Sequence, residues 1–473
     1  MEPQERIGVA RLTKLAFNGA DLGPLRAQLL SRCILEGNAE GAFMDLSVIE
    51  QLLGNSHAGL EWQAQALKTR RVYSSNSEAP NSQIDSQIDS DINGQIDAQF
   101  SEQQKLLVFA ATGPMGWNTP VEFLLQGSNY QIITYFPDFD APHPAALPDH
   151  DIAICAAPTD SAASQHFIEN LRQLTQKTGA KTLNLPTATV NLDRDALSQA
   201  VPKTPSLRFP NTTRHSRKQL KSLLDSEQES QILNPLGQYP YIIRPCGSHA
   251  GIGLAKFGDR DALIAYLDTH QDQEFFISEF INYASQSDGA FRKYRIVFVD
   301  GKAFPCHMAI SDQWDLWYMN AKMEGSAHKK AQEARFMDRF ERDFDLRHQQ
   351  AFSTLTQEIT LDYFGIDCAE DRDGNLVVFE ADNALIVHDM DSNAVFPYKN
   401  RHMHRIFAAF RAMLDRHATP LAKPLNPGSD KPAPSQNPKQ TSTDKDHDKT
   451  NAPSAFPDQI PRPRPRIDIR EPA

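Results

Sequence analysis

Three short stretches carry residues whose types and spacing could do chemistry. The first is Tyr241-Ile-Ile-Arg-Pro-Cys-Gly-Ser-His-Ala-Gly-Ile-Gly-Leu254, an apolar run entering a glycine-rich loop. The others are Gly365-Ile-Asp367 and Phe379-Glu-Ala-Asp-Asn383. Gly247, Gly251 and Gly253 leave the backbone free to fold its N–H groups around oxyanions. Arg244, just before the loop, sets a permanent positive charge beside the same anion. Asp367, Glu380 and Asp382 supply carboxylates on two strands, and Glu380 and Asp382, two residues apart, share one face. Such carboxylates hold a hard cation against phosphate oxygens. Together these features suggest a nucleoside triphosphate clamped between a loop and a metal.

Between them lie Glu279-Phe-Ile281, which follows the apolar run 275–277, and Phe291-Arg-Lys-Tyr-Arg-Ile296. The order runs: basic residue, Pro and glycine loop; Glu-Phe-Ile; Tyr-Arg; Gly-x-Asp; Phe-Glu-x-Asp-Asn. Residues 205–416, which contain it, resemble the ATP-grasp fold of carboxylate–amine and carboxylate–thiol ligases. The resemblance is strongest to the ribosomal-protein-S6-modification and glutathione-synthetase branch. Residues 104–204 look like the small Rossmann-like domain that precedes it.

The resemblance implies roles. Arg244 takes the place of a lysine on the nucleotide phosphates and keeps its charge. Gly247, Ser248, His249, Ala250, Gly251 and Gly253 match the loop that closes on the β- and γ-phosphates, with Lys256 a further phosphate contact. Glu279, Phe280 and Ile281 match the inter-lobe hinge, where unpaired strand-end groups read the adenine edge. Asp288 is in reach of the ribose. Arg295 matches the arginine at the transferring phosphoryl group, catalytic together with Arg244, with Arg292 and Lys293 in the same region. Asp367, Glu380 and Asp382 match the metal ligands. Asp382 stands where the family has Asn, and the extra charge suits tight Mg²⁺ or admits Mn²⁺.

The implied activity is ATP-dependent carboxylate–amine ligation, giving an amide or peptide bond through an acyl phosphate. Its substrates would be a small-molecule or peptide carboxylate and an amine. Two alternatives stay open: a phosphotransferase of the same fold, and a catalytically inactive nucleotide-binding scaffold. His307, Ser311, Asp312, Trp314, Trp317, Asn320, His388, Asp389 and Asp391 read equally as pocket wall or satisfied core.

The elements that must position these groups are legible more coarsely. Residues 1–73 form a helical segment with apolar residues at helical spacing, such as Leu46, Ile49, Leu52 and Leu53. It is similar to a short tetratricopeptide array without that repeat's signature residues. Residues 74–103 hold the tandem Ser82-Gln-Ile-Asp-Ser-Gln-Ile-Asp-Ser90 and read as a low-complexity linker. Residues 104–204 alternate strand and helix, which implies a parallel sheet. The loop Thr112-Gly-Pro-Met-Gly-Trp-Asn-Thr119 lies at a strand's carboxyl end, where ligands bind in open α/β sheets, without the dinucleotide glycine spacing.

Residues 205–416 mix strands at 241–244, 275–280, 294–299, 302–307 and 376–379 with helices at 354–364 and 401–414. Asp300-Gly301 reads as a hairpin turn, as does 371–375. The class is α/β and α+β: a Rossmann-like domain, then a two-lobe ATP-grasp domain. Residues 417–473 hold 12 of the 31 prolines and read as a disordered tail. The helices and the tail are the places where a protein partner would dock.

Composition narrows the classes further. With 48 basic and 60 acidic residues the formal charge is −12, against nucleic-acid binding by general attraction. The five dispersed cysteines suggest neither a zinc site nor a disulfide framework. No long apolar run suggests a membrane span, and a reducing cytoplasm fits.

Overall fold

The computed structural model describes residues 2–36, 39–76, 103–140, 146–158, 162–176, 179–185, 192–226, 228, 230–248 and 251–418. The expected low-complexity segment from 77 to 102, the tail from 419, and His249 and Ala250 lie outside these residues.

The chain opens with β1 (Gln4–Glu5), the helices α1 (Val9–Phe17), α2 (Gly23–Leu35), α3 (Glu40–Leu52) and α4 (Ser56–Thr69), and β2 (Val72–Asn76). Then come β3 (Gln104–Phe109), α5 (Val121–Leu124), β4 (Tyr130–Tyr135), β5 (Ile152–Cys155), α6 (Ala162–Thr175) and β6 (Thr182–Leu183). All six strands form one sheet in the order β1-β2-β4-β3-β5-β6. β3 to β6 are parallel, and their near-continuous apolar runs suit strands buried on both faces.

β2 runs antiparallel to β4 and parallel to β1. Two expectations change here. Val72–Asn76 is a strand, so the first residues of the stretch read as a linker belong to the sheet, with Ser74 and Ser75 buried. The four helices are framed by two strands of that sheet instead of preceding it as a separate segment. Met44, Ala66, Leu67 and Tyr73 bury against Ala110 and Phe136 beside β3 and β4.

The second half begins with α7 (Arg194–Ala200), β7 (Leu207–Arg208), β8 (Thr212–Ser216), α8 (Arg217–Asp225) and α9 (Ser230–Leu233). β9 (Tyr241–Pro245), β10 (Ala255–Phe257), α10 (Arg260–Thr269) and β11 (Glu274–Glu279) complete a four-stranded antiparallel sheet, order β10-β9-β11-β8. This lobe has its own core, including Leu220, Ile243, Leu263, Phe275 and Ile277.

β12 (Phe291–Val299), β13 (Lys302–Ser311), α11 (Ala327–Asp338), α12 (Phe344–Glu358), β14 (Tyr363–Glu370), β15 (Leu376–Asp382) and α13 (Lys399–His417) follow. Their strands and β7 form a five-stranded sheet, order β13-β12-β14-β15-β7. Asp300 (φ 50°) and Gly301 (φ 74°) both take positive φ between β12 and β13, the signature of a tight hairpin turn.

The helix expected at 354–364 ends at Glu358 and begins ten residues sooner, at Phe344. Phe344, His348, Ala351, Phe352 and Leu355 bury at helical spacing, whereas the aromatic pair Tyr363 and Phe364 goes into a strand. Leu106, Ile132 and Ile154 of the parallel sheet share one core with Ile296, Phe364 and Phe410. α13 ties the two sheets together: Tyr130 donates its hydroxyl to Asp415 Oδ1 at 2.6 Å, and Arg411 donates to the Gln126 carbonyl at 3.1 Å. Among the described residues no helix is long and apolar enough to cross a membrane.

Candidate active site

Alternation along β12 puts Lys293 and Arg295 on one face of the five-stranded sheet. Arg295 stands opposite His307 of β13 on one side and Asp367 of β14 on the other, and Asp367 stands opposite Glu380 of β15. One row of polar groups, His307, Arg295, Asp367 and Glu380, therefore crosses four strands. Arg295 Nε donates to Asp367 Oδ1 at 2.9 Å, and Lys293 Nζ lies 2.8 Å from Asp367 Oδ2. Arg194, the first residue of α7, donates to Glu380 Oε1 at 2.5 Å.

The titration shifts follow from this arrangement. Burial pushes the Asp367 carboxyl up, but Arg295 and Lys293 outweigh it and hold it well below the usual carboxylate range. Burial likewise opposes the Glu380 charge, while Arg194 and Arg244 draw its pKa down to about 2. Burial, with Arg295 and Lys399 beside it, holds His307 well below its ordinary value, so the ring is neutral.

Arg244, the penultimate residue of β9, reaches the same place from the other lobe. Its Nε donates to Ser248 Oγ at 3.2 Å, a second nitrogen donates to the Ser248 carbonyl, and Ser248 Oγ donates to the Pro245 carbonyl at 2.8 Å. Burial, then the Arg194 charge, lowers Arg244 to about 9, which leaves it cationic at neutral pH. Four cations thus surround two carboxylates, a net charge suited to a polyphosphate.

The glycine loop is conformationally committed: Gly247, Gly251 and Gly253 have φ of 72°, 75° and 66°. A Cβ on Gly253 would also meet Pro245 Cδ at 2.7 Å, whereas one on Gly247 meets nothing within 4 Å. Gly253→Ala is therefore expected to weaken nucleotide binding by about tenfold, and more than Gly247→Ala, since left-handed backbone alone costs about 1–2 kcal/mol. Calorimetry with ATP compares the two. Wild-type affinity in both variants would show that the loop is not the phosphate cradle.

A cavity of about 1080 Å³ unites Arg244, Gly251, Lys293, Arg295, Asp367 and Glu380 with His307, Trp317, Tyr318, His388, Asp391 and Lys399. The loop after β3 forms part of its wall through residues 113–116 and 118–119. Several expected site residues sit elsewhere. Asp382 does not line the cavity, because its Oδ1 accepts the Ala384 N–H at 2.8 Å in a tight turn. Of the expected trio of metal carboxylates, Asp367 and Glu380 face each other across the strand pair and line the cavity.

Among the described residues no group of three or more His, Cys, Asp or Glu is gathered as a metal site. A pair still fits Mg²⁺, which takes one or two carboxylates and draws its other oxygens from phosphates and water.

Asn383 ties the end of β15 to the loops after β3 and β5. Its side-chain amide donates to the Ala157 carbonyl at 2.8 Å and to Thr119 Oγ1 at 3.2 Å, and the Thr119 hydroxyl donates to the Asn383 backbone carbonyl at 2.8 Å. Asn383→Leu is expected to cost about 2–3 kcal/mol by stripping buried acceptors of their donor. Urea unfolding measures this; a loss below about 0.5 kcal/mol would show that the tie carries no stability.

At the expected hinge the backbone donors are paired within the chain. The Glu279 N–H bonds to the Asn211 carbonyl and the Phe280 N–H to the Pro240 carbonyl, so neither reads a base edge as the chain stands. The Glu279 carboxylate accepts from Asn211 Nδ2 at 3.2 Å, and Ile281 is buried. Lys256 holds its ammonium over the Phe280 ring at 4.3 Å and the Trp314 ring at 5.1 Å. Asp288 spends its carboxylate on Arg292 at 2.6 Å. Alternation separates the two basic residues of that strand: Arg292 turns to Asp288 and Gln332, and Lys293 to Asp367.

Arg194 escaped the sequence reading, and only its place at the start of a helix beside Asp193 and Asp195 marks it. Lys399 was also missed. Its ammonium is buried, bonded to Asp391 Oδ2 at 2.9 Å and to the Tyr318 hydroxyl, with Glu333 Oε1 at 3.7 Å. Glu333 in turn accepts from the Met308 N–H, Tyr318 and Tyr398. His388 accepts the Met390 N–H on Nδ1 at 3.2 Å. Burial lowers its pKa, and the neutral ring must then carry its proton on Nε2.

No family model matches the chain, and no curated protein matches it. Similar solved structures include a RimK domain ATP-grasp protein from Sphaerobacter thermophilus, at 15% identity and a TM-score of 0.37, covering 65% of this chain and 98% of that one. The VanG D-Ala:D-Ser ligase from Enterococcus faecalis is 12% identical with a TM-score of 0.39, covering 66% and 99%. The ATP-grasp ligase PsnB, complexed with a phosphomimetic variant of its minimal precursor, Mg and ADP, is 12% identical with a TM-score of 0.35, covering 66% and 99%. With TM-scores below 0.5, what the chain does is read from its own side chains.

Proposed function

We propose that the protein is an ATP-dependent carboxylate–amine ligase of the ATP-grasp type, forming an amide bond through an acyl phosphate. The observation that carries this is the row His307–Arg295–Asp367–Glu380, flanked by Lys293 and Arg194 and met by Arg244 at the foot of a glycine loop. Cations there neutralise phosphate oxygens and the carboxylate that must approach them. Asp367 and Glu380 would hold Mg²⁺, which when bound withdraws charge from the phosphate oxygens.

In the first half-reaction a substrate carboxylate oxygen attacks the γ-phosphorus. The bond from that phosphorus to the β-phosphate oxygen breaks, ADP leaves and an acyl phosphate remains. Arg295 and Lys293 face the charge that develops on the transferred group. In the second half-reaction an amine nitrogen attacks the acyl carbon, phosphate departs and the amine proton is released. No protein nucleophile takes part, because orientation and charge supply the acceleration. Glu279, Phe280 and Ile281 belong to the adenine end of this reading and Asp288 to the ribose, once the loop and hinge close on nucleotide.

The test is a screen of carboxylates with ATP, Mg²⁺ and hydroxylamine, which traps an acyl phosphate as a hydroxamate. Hydroxamate with equimolar ADP and phosphate is expected. ADP without free phosphate would point to a hydroxyl acceptor, hence a phosphotransferase. ATP binding with no ADP from any carboxylate would overturn the ligase reading and favour a scaffold.

A further inference from the structure

The cavity extends well beyond the charged row, under the N-terminal helices. Val9, Thr13 and Phe17 line it from α1, spaced by four residues, so they form one helix face. Met44, Val48 and Gln51 line it from α3 at spacings of four and three, again one face. Opposite them, Val108 of β3 and Ile132 and Thr134 of β4 present one face of the sheet. These walls form a chamber that continues into the cationic end of the same cavity; its charged lining here, Arg6 and Glu122, is paired internally at 2.6 Å, which leaves the apolar side chains to meet a ligand.

The join is built as well as continuous. Gln63 of α4 bonds the N–H and the carbonyl of Gly113, each at 3.0 Å, and Gln51 accepts the Met115 N–H at 2.7 Å. The helices that wall the chamber thus also hold the loop between it and the charged row. The whole cavity, about 1080 Å³, stands at the upper end of small-molecule sites, about 300–1,000 Å³.

We infer that this chamber receives the apolar chain of the carboxylate substrate, whose head group meets Lys293 and Arg295, so that α1 and α3 select the substrate by chain length. This rests on the ligase reading for the role of the head group. The chemistry points to a straight aliphatic carboxylate: apolar walls offer a chain dispersion and release of water, and the cations in the same cavity hold the carboxylate.

Calorimetry on the full chain with the straight-chain monocarboxylates from acetate to octanoate tests it without turnover. Affinity is expected to rise roughly fourfold per methylene until the chamber is full. Val48→Phe should end that rise at a shorter chain. Phe17→Ala, at a ring that is 44% exposed and safe to remove, should lower octanoate affinity severalfold more than acetate affinity. Thermal melting confirms that each variant is folded, and if Val48→Phe does not fold, the Phe17→Ala series decides alone.

Equal affinities along the wild-type series, or a rise untouched in the folded variants, would overturn the inference. A chain-length rise in a protein that forms no hydroxamate would leave the chamber standing and remove the ligase reading. Hydroxamate formed from short carboxylates without any rise would do the reverse.

Discussion

Glu380→Ala is expected to reduce turnover by roughly 10³-fold or more while ATP still binds, weakened. Glu380 faces Asp367 across the strand pair and lines the cavity, so it is one of two carboxylates able to hold Mg²⁺ at the phosphates. Losing a stabiliser of charge at a transferring phosphoryl group costs several kcal/mol, and each 1.36 kcal/mol is about tenfold in rate. The same change releases Arg194 from its 2.5 Å partner and leaves an extra cation in the site, which keeps nucleotide affinity from collapsing.

Asp382→Ala provides the contrast. Its Oδ1 is taken by Ala384 and it does not line the cavity, so its effect on turnover should stay within about tenfold, from the loss of a turn. The measurement is ADP release across a Mg²⁺ titration for both variants. If Asp382→Ala proves as damaging as Glu380→Ala, the carboxylate trio is restored. If Glu380→Ala keeps near wild-type rate and metal dependence, the pair is structural.

What could be read from the sequence was whatever is local. The glycine loop declared itself because positive φ at Gly247, Gly251 and Gly253 is a property of the residue, as did the Asp300-Gly301 turn. The shared face of Lys293 and Arg295 follows from a period of two. What could not be read depends on pairing across the chain. Nothing near Arg194 says that its guanidinium reaches β15, because that contact is set by how α7 docks. Asp382 and Glu380 obey the same alternation, yet the turn at Ala384 takes one of them out of the cavity.

The N-terminal helices were legible as helices but not as a wall of the site. That placement depends on β1 and β2 joining the sheet, and β2 reads as Val-Tyr-Ser-Ser-Asn, which carries little strand signal on its polar half. Its serines are buried all the same, with Arg6 N–H bonded to the Ser74 carbonyl and Ser75 Oγ bonded to Glu122 at 3.3 Å. Tertiary cover decided the strand, not propensity.

Arg295→Met should both unfold the protein more easily and slow it, and the two effects are separable. Arg295 and Asp367 are both buried and bonded twice, at 2.9 and 3.3 Å. Removing one partner of such a pair leaves an uncompensated charge, which costs about 3–5 kcal/mol. Lys293 still lies at 2.8 Å from Asp367, so the lower part of that range is expected. The pH dependence should change with it. In the wild-type protein the Asp367 carboxyl is held below its ordinary value, so its contribution to stability is present above that value and is lost as pH falls through the folded one. Without Arg295 the depression is smaller, because burial, which pushes the carboxyl up, is then opposed mainly by Lys293. The stability that Asp367 contributes above its ordinary pKa should shrink accordingly, and with it the loss of stability as pH falls. Asp367→Asn added to Arg295→Met removes the stranded charge, so it should recover most of the lost stability and none of the rate. Urea unfolding from pH 4 to 8 and ADP release, measured on the two single variants and the double, close the cycle. A double variant no more stable than Arg295→Met would show that the pair does not hold the fold. A single variant with wild-type turnover would place Arg295 outside the chemistry.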